Sequence, residues 1–86
     1  MKAVWEQLYE MSFNISSKEF ENWVKTFTEK LGILLNQILL VADTNTSLKI
    51  MIVLKDITEA IENQDVILLR DVVRYGLLET IKDYCE

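Results

Sequence analysis

The sequence predicts an all-α antiparallel helical bundle, with three main helices and a short N-terminal helix. Three observations lead there. The 86 residues include no proline and only two glycines, Gly32 and Gly76, so little interrupts long elements. Apolar side chains recur at steps of three and four along most of the chain. Half of the residues are apolar and 27% are charged, the balance of a globular chain rather than a disordered one. Such a length suits one domain, so residues 1–86 are read as a single helical domain.

The first helix runs from about Lys2 to Met11. Val4, Leu8 and Met11 mark its inner stripe, with Trp5 and Tyr9 on the adjoining face. Ser12-Phe13-Asn14-Ile15-Ser16 breaks it, because Ser and Asn compete for backbone hydrogen bonds. Ser16 and Glu19 have the spacing of a capping box, and Ile15 and Phe20 that of a hydrophobic staple, so the second helix is expected to start there. Its seam has two interleaved rows of seven-residue spacing: Phe20, Phe27, Leu34 and Val41, with Val24, Leu31 and Ile38 between them. The seam keeps its phase across Gly32, which predicts an unbroken helix with Gly32 on the outer face.

Asp43-Thr44-Asn45-Thr46-Ser47 reads as a loop, since each residue favours turns or caps. A third helix then extends to about Asn63, with Ile50, Leu54, Ile57 and Ile61 along one stripe. Asn63-Gln64-Asp65 is a short connection whose Asp65 caps a fourth helix, Val66 to Tyr84, placing the last two helices antiparallel. That fourth helix is apolar on two sides. Leu69, Val73, Leu77 and Tyr84 form one stripe and Leu68, Val72 and Tyr75 another, which implies a central position or a second partner.

Absent residue types narrow the chemistry. Without histidine there is no Ser-His-Asp or Cys-His arrangement and no imidazole metal ligand. One cysteine, Cys85, allows neither an internal disulfide nor a thiolate zinc cage. Two scattered glycines make no phosphate-cradling loop. Nine basic against fourteen acidic residues give a net charge of −5, which disfavours a nucleic-acid partner. The most apolar stretch, Leu31 to Ala42, is shorter than the roughly 20 residues of a membrane span, and no targeting segment is visible. A cytoplasmic protein without a cofactor is expected.

The run from Ala60 to Leu77, AIENQDVILLRDVVRYGL, resembles a segment of small helical-bundle proteins of low-GC Gram-positive bacteria, which have no assigned activity. That segment reads approximately D-aromatic-V-L-L-x-D-L-L-x-Y-x-L. Asp65, Leu68, Leu69, Asp71, Tyr75 and Leu77 match it, Val66 replaces the aromatic, and Thr80 stands near a frequent proline. The resemblance, confined to about residues 60–77, implies a bacterial helical bundle and supplies no mechanism.

Four groups of side chains could carry chemistry. Asp56, Glu59 and Glu62 line one face of the third helix and, with Glu79 and Asp83, could hold Mg²⁺ for phosphohydrolase chemistry; a solvated helix face is the plainer account. Arg70 and Arg74 lie one turn apart beside Asp71 and could clasp an anion, or simply pair with neighbouring acids. Cys85 lacks a histidine partner and sits at a helix C-terminus, where the dipole disfavours thiolate. Six of the eight aromatic residues (Trp5, Tyr9, Phe13, Phe20, Trp23 and Phe27) fall in the first 27 residues, as core or as an interface. The resulting expectation is a non-enzymatic protein–protein interaction module. Its partner is itself, as a homodimer, or another protein, through Trp5, Tyr9, Phe13, Leu68, Val72 and Tyr75. The alternatives are a small secretion or assembly chaperone for an amphipathic client helix, and a metal-dependent nucleotide phosphohydrolase.

Overall fold

The computed structural model describes residues 1–85. Its elements are α1 (Lys2–Met11), α2 (Phe20–Ile38), α3 (Thr44–Glu62) and α4, a helical rod over residues 66–85. The rod is not uniform. It is α-helical over Val66–Asp71, π-helical over Val72–Leu77, α-helical over Leu78–Ile81 and 3₁₀-helical over Lys82–Cys85. Among the described residues there is no strand, so the all-α bundle expected from the sequence is the fold observed.

Two helical hairpins make the bundle: α1 lies against α2, and α3 lies against α4. Two side chains tie distant parts together. The Trp5 indole N–H donates to the Leu78 carbonyl at 3.0 Å, pinning α1 to the far end of α4. The Trp23 indole N–H donates to the Met11 carbonyl at 2.8 Å, holding the end of α1 on α2. Between the hairpins lies a core of Leu8 from α1, Phe27, Leu34 and Ile38 from α2, Ile50 and Ile57 from α3, and Leu69, Val73 and Leu77 from α4. Each such side chain contributes about 1.5–3 kcal/mol on burial.

The seam expected in α2 largely forms. Phe20, Phe27, Leu31, Leu34 and Ile38 are buried, and the helix runs unbroken through an exposed Gly32. Its ends differ from expectation. Ser16 and Glu19 make no capping box: the helix starts at Phe20, with Glu19 at the cap position and no side-chain cap bond. The connection is closed from the α1 side instead, where the Asn14 amide donates to the Glu10 carbonyl and the Ser12 hydroxyl to the Tyr9 carbonyl. At the other end the chain turns after Ile38, whose carbonyl accepts N–H groups from Val41 and Ala42. Val41 therefore leaves the seam and is exposed.

Helix α3 begins earlier than its Ser- and Thr-rich start suggests. Residues 44–47 are helical because the Asp43 carboxylate accepts the Thr46 N–H at 2.7 Å, so the loop ends at Asp43. The expected α3 stripe is confirmed, with Ile50 and Ile57 buried and Leu54 and Ile61 half-buried. Asp65 performs two tasks. Its carboxylate accepts the Leu68 N–H at 3.0 Å, capping α4 as expected. Its own N–H donates to the Ala60 carbonyl while Gln64 N–H donates to Ile61, the paired bonds of a Schellman ending for α3. That ending needs a left-handed residue, and Gln64 supplies it at φ 50°.

Glycine is thus absent where the backbone favours it and present where it does not. Gln64→Gly removes a Cβ from a left-handed position and should raise stability by about 1 kcal/mol. Gly32→Ala sits in an exposed helix interior where an added Cβ meets nothing within 4 Å, and should also gain about 1 kcal/mol. Urea midpoints of the two variants, singly and combined, check both values. The Asp43 cap has a pH signature as well. Hydrogen bonds from Thr46, side chain first and backbone second, hold its carboxyl below the ordinary value. A lowered folded-state pKa stabilises above the unfolded value, and the gain is lost as pH falls through the folded one. The stability difference between the native sequence and Asp43→Asn should be present at pH 7 and close on acidification below the carboxylate range.

Candidate functional site

Three of the aromatic residues singled out in the sequence stand in a row on α1 and the turn after it. Trp5 and Tyr9 stack with ring centroids 5.5 Å apart, and Tyr9 meets Phe13 edge-on at 5.1 Å. Residues four apart on a helix share a face, which explains the first pair. Phe13 lies beyond the end of α1, and the turn carries its ring back against Tyr9.

The row is completed from α4. The Arg74 guanidinium lies 4.0 Å from the Phe13 ring centroid, 5.3 Å from Tyr75 and 5.8 Å from Tyr9. A cation this close to ring faces is attracted by their quadrupoles, for about 0.5–2 kcal/mol per well-placed ring. Arg74 and Tyr75 both lie in the π-helical turn, and Arg74 reaches Tyr9 on α1 and Phe13 just beyond it. The rings remain accessible, with Phe13 52% and Tyr75 68% exposed.

Electrostatically this arginine is alone. Among the described residues the ion pair present is Arg70 with Asp71, at 3.6 Å, and Arg74 has no carboxylate within 4.0 Å. The Arg74 Nε is buried without a hydrogen-bond partner. The plainer account, pairing with neighbouring acids, holds for Arg70 and not for Arg74. Arg70 pairs locally, whereas Arg74 is taken up by aromatic faces.

Of the six residues proposed for partner contact, Trp5, Tyr9, Phe13 and Tyr75 come together in or beside this cluster. Val72 does not join them: it packs on the core and lies beside Gly76 and Val53, where α4 meets α3. Leu68 is exposed in the first turn of α4. Sequence reading undervalued Arg74 because it assigned the residue to an ordinary α-helical face. Nothing in the residue pattern around Val72–Leu77 signals a π turn.

A second surface was missed altogether. Leu48, Met51 and Ile52, at helix spacings of three and four, are 52%, 63% and 63% exposed. They occupy the side of α3 away from α4, since Val53 faces α4 at Gly76 and Ile50 and Ile57 face the core. Lys49 and Asp56, seven residues apart, flank this apolar stripe along one edge and are both exposed. The turn before α3 adds the exposed Leu40 and Val41. The signal was present in the sequence, because Lys49 to Leu54 is almost continuously apolar.

Other candidates separate in space. Among the described residues no three His, Cys, Asp or Glu side chains converge on a common point, so Asp56, Glu59 and Glu62 do not meet Glu79 and Asp83 as a cluster. A groove of about 460 Å³ opens between α1 and α2 over Trp23 and Met11, and Lys30 spans it to Gln7 at 2.8 Å. Cys85 is buried, 4% exposed, and burial pushes its thiol pKa up. Among the described residues no helix is long and apolar enough to cross a membrane.

Comparison with known proteins adds no relative: no family model, curated protein or solved structure matches this chain.

A buried thiol of raised pKa presents little thiolate. Cys85 in the folded protein should therefore react with Ellman's reagent far more slowly at pH 8 than in denaturing urea, as a stopped absorbance time course will show.

Proposed function

We propose that this protein is a non-enzymatic protein–protein interaction module that acts in the cytoplasm as a homodimer, joined through the outer face of α3. The observation that carries this reading is the exposed stripe of Leu48, Met51 and Ile52 bordered by Lys49 and Asp56. An apolar stripe on one face of an otherwise amphipathic helix calls for a partner.

The charges favour a second copy as that partner. A two-fold interface places the same patch on both sides, so every contact occurs twice. With two α3 helices antiparallel and Ile52 on the axis, Lys49 lies three residues before the centre and Asp56 four after it. Lys49 of each copy then falls beside Asp56 of the other, while Leu48, Met51 and Ile52 pack between. Both charged residues stand on one flank, because seven residues are close to two helical turns. Lys55, on the same exposed face, lies level with the other copy's Lys49 in this register, so Asp56 offsets two lysines there.

Light scattering on a sizing column, over a wide range of concentration, tests this directly. A dimer is expected for the native sequence and a monomer for Ile52→Glu. Lys49→Glu places two acids at each pair and should weaken the dimer, with two exposed pairs worth about 1 kcal/mol together, or roughly fivefold in dissociation constant. Adding Asp56→Lys to Lys49→Glu restores opposite charges and should recover the native value. A native protein that stays monomeric throughout, or a charge swap that fails to recover dimerisation, overturns this assignment of α3.

A further inference from the structure

We infer that Arg74 and the rings around it form a binding site for a carboxylate carried on an apolar group. The site is separate from the α3 stripe and goes beyond the dimer reading. Three features of Arg74 lead there. Aromatic rings surround it, with Phe13 at 4.0 Å and Tyr75 and Tyr9 within 6 Å. Its edge is unused: Nε is buried without a partner, and among the described residues no carboxylate comes within 4.0 Å. Its surroundings are apolar and open, since Phe13 and Tyr75 are more than half exposed.

A guanidinium stacked on rings keeps its in-plane N–H donors, arranged as a fork that fits two carboxylate oxygens. A lone buried N–H also leaves an unmet hydrogen bond, which an arriving acceptor can relieve by drawing the guanidinium edge outward. The chain has fourteen acidic residues, yet among the described residues none is placed on this arginine.

The ligand's body is set by the rest of the patch. Phe13, Tyr75 and Tyr9 offer ring surface within reach of the same guanidinium, which suits an apolar group beside the acid. A polyphosphate or nucleic acid is disfavoured by the net charge of −5, and among the described residues Arg74 is the one cation placed over these rings. A free aryl or alkyl carboxylic acid and an acidic residue within an apolar peptide segment present the same chemistry.

The test follows the ¹H–¹⁵N signals of the Arg74 side chain and the Trp5 indole during titration with benzoate, benzamide, inorganic phosphate and the peptide acetyl-Leu-Glu-Leu-amide. Saturable shifts with benzoate or the peptide, weak affinity in the millimolar range, and no shift with benzamide are expected. Tighter binding of the peptide assigns the site to a partner protein, and tighter binding of benzoate to a small acid. Arg74→Lys keeps the charge without the fork and should weaken binding at least tenfold. Tyr75→Ala removes an exposed ring and tests the site even if an Arg74 variant fails to fold. Equal shifts with benzamide, stronger shifts with phosphate than with benzoate, or binding untouched by both substitutions each overturn the proposal. Titrating Ile52→Glu in parallel separates this result from the dimer, because the Arg74 site does not include α3.

Discussion

The π-helical turn at Val72–Leu77 is the constraint on which the bundle depends. Residues four apart on an ideal α-helix drift by about 40° at each step, so a row of five turns nearly half-way round the rod. Yet Leu69, Val73, Leu77, Ile81 and Cys85 are all 4% exposed or less. Wider winding in the middle of α4 cancels the drift and keeps this row against the core. The helix thereby keeps one continuous edge in the core against α3, while its far end meets α1.

The same winding accounts for the separation of two arginines one turn apart. Arg70, in the regular part of the helix, reaches its neighbour Asp71. Arg74, inside the π turn, is delivered to Tyr9 and Phe13 on the opposite hairpin. A packing solution for apolar residues has therefore placed a cation among aromatic rings. Core geometry and surface chemistry share one backbone irregularity here, consistent with the frequency of π turns at functional positions.

Much of the fold was legible because it rests on period. Stripes at three- and four-residue steps located each helix, and Asp65 announced the start of α4 through a capping chemistry that needs no tertiary context. What escaped was decided by competition between neighbours. Ser16 carries the right side chain for a cap, but residues before α2 are held by bonds to α1, and the helix waits until Phe20. Asp43 belonged to a run that favours turns, and one hydrogen bond to Thr46 converted that run into the first turn of α3. The aromatic cluster was half legible: Trp5, Tyr9 and Phe13 follow from spacing, whereas Arg74 depends on a π turn that leaves no mark in composition. The Leu48–Ile52 stripe was visible as letters, and only the position of α4 shows which side of α3 stays uncovered.

The bond from the Trp5 indole to the Leu78 carbonyl joins residues 73 positions apart. During synthesis the first helix emerges long before its acceptor exists. Until residues 74–78 have been made, Trp5 lacks its acceptor and Tyr9 lacks the Arg74 guanidinium. Each hairpin rests on contacts local in sequence, so α1–α2 can close once α2 is made and α3–α4 once α4 is made, leaving the bond from Trp5 to Leu78 to join them last. Helix α1 can pair with α2 soon after α2 is made, but its tie to α4 waits until Leu78 has been added. Truncation before Leu78 would remove that tie permanently.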